Sequence, residues 1–330
     1  MAIHIRRREF IAALGGAMSA WPLPAGAEQI STAVIGLLDE GSPGSRAHFM
    51  EAFRSGLATG DYIEGRNLAL EFRYADGELR RLPELARDLA HQQIMLIAAF
   101  GNAAALAAKA ATTNLPIVFA SSSDPVAVGL VSSLNRPDWN LTGVSVLNQE
   151  LEGIRLERLI EVVPHATTIG VLINPDSLTA DATLYALQTA ARLLDRQLQL
   201  FHARSQRDFE EVFANAEQQR LGAMVVVSDT IFSNESADLG RAAAAHKVPS
   251  MGAYRPFTRA GGLMSYGSDL GVAYQAVGAT AARILKGEKP ADLPVQESTK
   301  VEFIINLKSA QLLGLQVPRN LLVIADEVIK

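Results

Sequence analysis

The feature that most constrains the fold is a regular alternation of short apolar runs with segments of helical periodicity. In the first half of the chain, the apolar runs predict buried strands over 33–38, 68–72, 94–98 and 116–119. The segments between them predict helices over 46–57, 79–93 and 102–113. Strand–helix alternation of this kind indicates right-handed βαβ units, whose parallel strands form a sheet covered by helices on both faces.

The same alternation begins again after Asn140-Leu141-Thr142-Gly143, with no internal repeat of the sequence itself. A helix is predicted over 151–163, and it is followed by strands over 169–173, 198–202 and 223–227 and by helices over 184–194 and 209–220. The length of 330 residues also fits two domains, at roughly 100–200 residues each. The sequence therefore predicts an α/β protein of two doubly wound parallel-sheet lobes.

Composition removes several classes of function. The chain has no cysteine, which excludes thiol catalysis, disulfides and thiolate metal sites. Its net charge of −5 argues against binding to nucleic acid, which is usually the task of basic surfaces. The six histidines show no metal-ligand spacing, and no nucleophile elbow, Walker A loop or dinucleotide fingerprint is present. No metal, cofactor or catalytic residue is predicted, and a small-molecule-binding protein or an α/β enzyme remains.

The amino terminus resembles an export signal. Arg6-Arg7-Arg8 precedes an apolar stretch from Phe10 to Leu23, which is too short to span a bilayer as a helix of about 20 residues. Ala25-Gly26-Ala27 matches a signal-peptidase site, so residues 1–27 are predicted to be removed and the protein to be periplasmic. The pair Arg7-Arg8 also fits the twin-arginine route. The alternative is an amphipathic helix that belongs to the folded protein.

Polar residues gather directly after the predicted strands. In open parallel sheets, ligands bind beyond the carboxyl ends of the strands, so these segments are the candidate ligand site. The predicted ligand-binding residues are Glu40, Ser42, Gly101, Asn102, Ser122, Ser123, Asp124, Asn148, Asn174, Ser228, Asp229 and Tyr254.

Within that set, the chemistry of each side chain suggests a role. Asp124 and Asp229 could meet a ligand ammonium group, whereas Asn102 and the serines after the fourth strand could meet a carboxylate. Tyr254 could form an aromatic wall, although a core tyrosine is an equal alternative. The general alternative is helix capping, because serine, aspartate and asparagine are the preferred N-cap residues of any α/β protein.

Several longer sequence segments resemble those of a known family. They are Gly56-Leu57 with 60–67, Asp124-Pro125-Val126 through Val131 with Leu134-Asn135-Arg136-Pro137, the segments 140–143, 261–267 and 290–295, and the tail 305–310 with 325–329. Together they are similar to ABC-transporter substrate-binding proteins of the tryptophan-binding-protein-like group. The chain departs from the family's usual sequence at Asp138-Trp139 and at Asp61, which are expected to lie in loops.

The resemblance implies a type I periplasmic binding protein with three crossovers between its lobes and a cleft between them. Lobe one is then expected at 30–143 plus 267–298, and lobe two at 144–266 plus 299–330. The implied function is to bind a small molecule, with an amino acid or related carboxylate, aromatic ones included, as the favoured ligand. The implied partner is an inner-membrane ABC permease, and the protein is expected to be a monomer that does not span the membrane.

Two alternatives remain open from the sequence. One is a periplasmic sensor domain of the same fold, which would pass its ligand state to a receptor. The other is a secreted α/β hydrolase or isomerase that uses Asp124 or Asp229 as a base, although the missing nucleophile motif counts against it.

Overall fold

The computed structural model describes residues 32–146 and 148–330, which form two α/β lobes, each built around its own sheet. The predicted export signal lies outside the described residues. The first sheet has the strand order β11-β5-β4-β3-β1-β2, and all its neighbouring strands are parallel. Its strands are β1 (Ala33–Asp39), β2 (Leu68–Tyr74), β3 (Leu96–Phe100), β4 (Ile117–Ser121), β5 (Leu141–Val146) and β11 (Gln296–Ser298). Its helices are α1 (Pro43–Ala58), α2 (Leu82–Ala90), α3 (Asn102–Ala111) and α10 (Leu270–Leu285).

The second sheet has the order β13-β12-β10-β9-β8-β6-β7. Its strands are β6 (Thr168–Ile173), β7 (Gln197–His202), β8 (Ala223–Val226), β9 (Ser250–Gly252), β10 (Met264–Ser268), β12 (Val301–Asn306) and β13 (Glu327–Ile329). Its helices are α4 (Glu152–Val162), α5 (Ala180–Leu193), α6 (Phe209–Gln218), α7 (Thr230–Asn234), α8 (Ser236–Ala245), α9 (Arg255–Arg259), α11 (Leu307–Leu312) and α12 (Arg319–Ile324). The β10–β12 pair is antiparallel, which departs from the fully parallel sheet predicted from the sequence.

The chain passes between the two sheets at three places in the described residues. The crossovers lie between β5 and α4, between β10 and α10, and between β11 and β12. The expected boundaries at 143/144 and 266/267 fall inside β5 and β10, because hydrogen bonding continues to the end of each strand. Val146 pairs with Ser298 in the first sheet and Ser268 pairs with Val301 in the second, so both crossovers begin two or three residues later than expected.

The strands form where the sequence carries continuous apolar runs. All five residues of β3 and all five of β4 are buried, as expected for central strands covered on both faces. The third strand begins at Leu96, not at the predicted Ile94, since Leu96 is the first residue that pairs with β1. The predicted helix over 79–93 is shorter as well: a 3₁₀ turn at Leu79–Arg81 precedes α2, whose first turn contains Pro83. None of the helices in 32–146 and 148–330 combines the length and the hydropathy needed to cross a membrane.

Two glycines allow α1 and α10 to pack with their backbones almost in contact. A Cβ at Gly56 would lie 2.0 Å from the carbonyl oxygen of Gln275, and one at Gly278 would lie 2.1 Å from that of Phe53. Since real Cβ atoms do not approach backbone oxygens so closely, each glycine fits this crossing where alanine would not. The two helices cover the same face of the first sheet, and their packing places the start of α10 beside the second crossover.

We expect Gly56→Ala to destabilise the protein by about 1–3 kcal/mol, the usual cost of overpacking, despite the better helix propensity of alanine. Urea unfolding followed by circular dichroism measures this difference. Gly44→Ala is the matched control on the same helix, since no atom lies within 4 Å of its added Cβ. Equal midpoints for the two variants would contradict the proposed close packing of α1 and α10.

Candidate functional site

The carboxyl ends of the two sheets face each other, and residues from both lobes enclose a series of cavities between them. A central cavity of 40 Å³ is lined by Gly101, Ser121, Ser122, Leu270 and Tyr274 of the first lobe and by Thr230, Ser233 and Tyr254 of the second. It shares Tyr254 and Leu270 with a larger cavity of 630 Å³ beside the second crossover. On the other side, it shares Ser122 and Thr230 with a cavity of 30 Å³. These shared walls make the three cavities neighbouring chambers of one cleft.

In the first lobe, Glu40 binds to the start of the neighbouring helix. Its Oε1 accepts hydrogen bonds from the backbone N–H groups of Ala103 (2.6 Å) and Ala104 (3.1 Å) at the first turn of α3. Gly101 makes this approach possible, because its φ is +106° and an added Cβ would lie 2.2 Å from the Glu40 carboxyl carbon. Glu40 therefore lines the cavity of 30 Å³ and also occupies the N-terminal end of α3.

Asn102 holds the loop after β4 in place. Its Nδ2 donates to Ser123 Oγ (2.8 Å) and Ser122 Oγ (3.3 Å). Its Oδ1 accepts from Ser121 Oγ (2.7 Å) and from the backbone N–H of Ser122 (3.1 Å). Ser122 lines both the central cavity and the cavity of 30 Å³, whereas the buried Ser123 lines neither. Asn102 thus orients the one serine of this loop that faces both small chambers.

Asp124 and Ser42, like Ser123, line none of these three cavities. Asp124 is exposed, lines none of these three cavities, and accepts the backbone N–H of Val126 (2.8 Å), so its carboxylate caps a turn. Ser42 lines a fourth cavity, of 390 Å³, where Asp76 and Glu78 of the first lobe face Arg204 and Arg207 of the second. Asp124 therefore lies outside the candidate site, and Ser42 lines the fourth, charged cavity.

Asp229 is the carboxylate that the second lobe presents to the cavity of 30 Å³. It lines the cavity of 30 Å³, where its oxygens accept from the backbone N–H of Ile231 (2.8 Å) and from Asn174 Nδ2 (3.3 and 3.4 Å). Burial raises the pKa of the Asp229 carboxyl group, and the hydrogen bonds from Ile231 and Asn174 only partly oppose that rise. No lysine or arginine of the described chain lies within ion-pair distance of Asp229.

Tyr254 and Ser228 complete the second rim. The hydroxyl of Tyr254 forms hydrogen bonds with Ser228 Oγ (2.8 Å) and with Asn148 Nδ2 (3.2 Å). The backbone N–H of Ser228 donates to Glu152 Oε1 (2.8 Å), and Glu152 forms an ion pair with Arg155 (3.1 Å) in which both side chains are fully buried. Asn148 is completely buried at the first crossover, so it contacts the cleft through Tyr254.

An aromatic cluster that the sequence did not reveal borders the cleft. The ring of Tyr274 stacks on Phe100 with centroids 4.3 Å apart and on Phe49 with centroids 5.0 Å apart. Tyr274 lines the central cavity, and Phe49 lines the cavity of 630 Å³. Thr230 was missed as well, although its position directly after Asp229 was a usable signal. Phe49 and Tyr274 carry no such signal, because an aromatic residue on an amphipathic helix is typical of a core.

The cleft holds carboxylates, amides and hydroxyls, but these do not gather as metal ligands. Within 32–146 and 148–330, no group of three or more histidine, aspartate or glutamate side chains could hold a metal ion.

The model of the ABC transporter substrate binding protein family matches residues 34–329, and the chain belongs to that family. A curated relative, a tyrosine-binding protein of Clostridioides difficile, is 23% identical over 270 residues, which cover 81% of this chain and 76% of the relative.

Two solved structures have a similar fold. An ABC domain in complex with L-Trp from Streptococcus pneumonia is 25% identical, with a TM-score of 0.81 over 91% of this chain and 100% of that one. The ligand-free, open structure of a substrate-binding protein with adhesive properties from Clostridium difficile is 24% identical, with a TM-score of 0.62 over 90% and 99% of the two chains. Proteins of this family are substrate-binding components rather than enzymes, and they are typically exported or periplasmic.

We expect Asp229→Asn to raise the melting temperature of the ligand-free protein at pH 7. An acid whose pKa is raised by folding destabilises the folded state as the pH rises through that pKa, and asparagine carries no charge. The gain should be largest at neutral pH and should vanish below the unfolded-state pKa of about 3.9. A rise of a few degrees is measurable, since about 1 kcal/mol shifts the melting temperature by roughly 2–4 °C in a protein of this size.

The matched control is Asp124→Asn, which makes the same chemical change on an exposed turn. Melting curves between pH 4 and pH 8 compare the two variants with the wild type. A melting temperature of Asp229→Asn that stays at or below the wild-type value at pH 7 would show that the carboxylate is not destabilised by burial.

Proposed function

We propose that this protein is the periplasmic component of an ABC uptake transporter and that it binds an aromatic amino acid, as a monomer, between its lobes. The observation that carries the proposal is the Asp229 carboxylate, which is enclosed in the cleft without a cationic partner in the described chain. A partly buried carboxylate of this kind is stabilised by an ammonium group that replaces the lost water.

The other end of an amino acid needs hydrogen-bond donors. Ser122 and Thr230 lie on opposite lobes and line both small chambers, next to the cavity that contains Asp229. Their hydroxyl groups can donate to a ligand carboxylate, with Asn102 holding the Ser122 loop in position. The zwitterionic part of the ligand would therefore lie between the rims, in contact with both lobes.

The side chain of the ligand would point toward the aromatic walls. Tyr254 and Tyr274 line the central cavity, and Tyr254 and Phe49 line the neighbouring cavity of 630 Å³. Stacked or edge-to-face contacts between rings contribute about 0.5–1.5 kcal/mol beyond the area that they bury. The tyrosine-binding relative and the L-Trp complex support an aromatic ligand for this chain.

The size of the chambers implies that the lobes move. Cavities of 40 and 30 Å³ admit a few water molecules but not an amino acid, so the lobes must separate for the ligand to enter. A ligand that contacts both rims binds a closed arrangement better than an open one and shifts the population accordingly. The closed form would then deliver the ligand to a membrane permease.

Export would follow from the amino terminus. Residues 1–27 combine three arginines, a short apolar stretch and a small-residue site, as in signals removed by signal peptidase. We propose cleavage after Ala27 and export through the twin-arginine pathway, because Arg7 and Arg8 precede the apolar stretch.

Isothermal titration of the protein with L-tryptophan, L-tyrosine and L-phenylalanine should show binding, and L-alanine should bind at least tenfold more weakly because it cannot contact the aromatic walls. Asp229→Asn should weaken the binding of the best ligand by at least about 30-fold, since losing one partner of a buried charge pair costs about 2–5 kcal/mol. Asp124→Asn should leave the affinity unchanged. No heat from any aromatic amino acid would refute the ligand class, and equal affinities of the two variants would refute the role of Asp229.

Expression of the full chain in a bacterium should yield a periplasmic protein whose first residue is Glu28. N-terminal sequencing and the intact mass of the periplasmic fraction measure the cleavage site. Replacing Arg7 and Arg8 together by lysine should retain the protein in the cytoplasm if the twin-arginine route is used. Normal export of that variant would indicate the general secretory route, and an uncleaved amino terminus would contradict the signal itself.

A further inference from the structure

The three crossovers are joined to one another by hydrogen bonds. The backbone N–H of Ser268, at the second crossover, donates to the Oδ1 of Asn148 in the first (2.9 Å). The backbone N–H of Asp269 donates to the carbonyl oxygen of Lys300 in the third crossover (3.0 Å), and Lys300 Nζ donates to the Asp269 carboxylate (2.8 Å). These contacts make the three connections one hydrogen-bonded unit, which we call the crossover bundle (Asn148, Ser268, Asp269 and Lys300).

Asn148 forms hydrogen bonds through both the oxygen and the nitrogen of its side-chain amide. Its Oδ1 binds the second crossover, and its Nδ2 donates to the hydroxyl of Tyr254 (3.2 Å). Its backbone carbonyl accepts from the guanidinium of the buried Arg155 (2.8 Å). Because Asn148 is completely buried, water cannot replace any of these partners, and losing one of them is costly.

Tyr254 connects this bundle to the ligand cleft. Its ring lines both the central cavity and the cavity of 630 Å³, while its hydroxyl binds Asn148 on one side and Ser228 on the other. The backbone of Ser228 is held by Glu152, the partner of Arg155. One ring of hydrogen bonds thus runs from the cleft rim through Tyr254 to the crossovers and back through the buried ion pair.

We propose that Asn148 and the Tyr254 hydroxyl are positioning groups that couple the cleft to the crossover bundle and stabilise the closed arrangement of the lobes. The hydrogen bond between them is formed in this structure, in which the central chambers are nearly filled. On this proposal, separation of the lobes bends the first crossover on the second-lobe side of Asn148 and breaks its hydrogen bond to Tyr254. A ligand that packs against the Tyr254 ring holds its hydroxyl on Asn148, so occupancy of the cleft acts directly on the hinge. This last step rests on the proposed function, but the effect on the ligand-free protein does not.

The experiment measures lobe separation directly. Because the natural chain has no cysteine, Arg80→Cys in the first lobe and Gln218→Cys in the second give one specific pair of spin labels at exposed positions. Distance distributions between the labels report the open and closed populations of the ligand-free protein. Tyr254→Phe keeps the ring on the cleft and removes the hydroxyl with its bonds to Asn148 and Ser228. Only the bond to Asn148 is proposed to favour the closed form, so we expect the open-to-closed ratio to rise about two- to tenfold, the range that one hydrogen bond supplies.

Tyr266→Phe is the matched control, since it removes a tyrosine hydroxyl from the same lobe that forms no side-chain hydrogen bond with a described residue. It should leave the distribution unchanged. The double variant Tyr254→Phe/Asn148→Ala should change the open-to-closed free-energy difference by less than the sum of the two single variants if both changes break the same contact. If Asn148→Ala fails to fold, the comparison of the distance distributions of Tyr254→Phe and Tyr266→Phe still tests the proposal.

An unchanged distribution for Tyr254→Phe, or equal shifts for Tyr254→Phe and Tyr266→Phe, would overturn the proposal. A second measurement uses L-tryptophan as the probe: Tyr254→Phe should weaken its binding by the same factor by which it depopulates the closed form. If no amino acid binds, the proposed ligand class fails and the distance measurement on the ligand-free protein still tests the coupling. If L-tryptophan binds but the distances do not change, the coupling fails and the proposed function stands.

Discussion

The cleft depends on one constraint: polar groups at the carboxyl ends of two parallel sheets are brought together and must find hydrogen-bond partners there. Parallel strands direct the loops that follow them to the same edge, and the two edges face each other. Most of these groups are satisfied within their own lobe, as Glu40 is by the start of α3 and Asn102 by the loop after β4. A few of these groups line the small cavities, chiefly Asp229, Ser122 and Thr230. They determine which ligand groups can replace the water molecules that would otherwise bind there.

Sequence patterns predicted the layers well because buried strands and amphipathic helices are local features. The apolar runs identified seven of the thirteen strands in the described residues, each to within two residues, and the matching sequence segments predicted the family. The ends of elements were less accurate: the β3 run begins with Ile94 in the sequence, but sheet pairing starts at Leu96. Likewise, the change of lobe occurs at the ends of β5 and β10, where the last paired residue is set by a strand from a distant part of the chain.

The candidate site was harder to predict, and Asp124 and Asp229 show why. Both aspartates lie three residues after the end of a strand and both accept a backbone N–H two residues on, so their local signals are the same. One lies exposed on a turn, and the other is enclosed by residues of the opposite lobe. Only the packing of the lobes separates a capping residue from a ligand candidate. The aromatic walls were missed for the same reason, since Phe49 and Tyr274 differ from core residues only in what lies across the cleft.

The buried Glu152–Arg155 pair is best understood through its neighbours. Removing two charges from water costs several kcal/mol per ion, so a buried pair is weak evidence for stability by itself. Here the guanidinium also donates to the carbonyls of Asn148 and Tyr266, and the carboxylate accepts the N–H of Ser228. Apolar residues of similar volume would leave these three backbone groups buried without partners. The pair therefore fixes the backbone of the first crossover and of the Ser228 rim at the same time. In this way two fully buried charged side chains stabilise a cleft that they do not line.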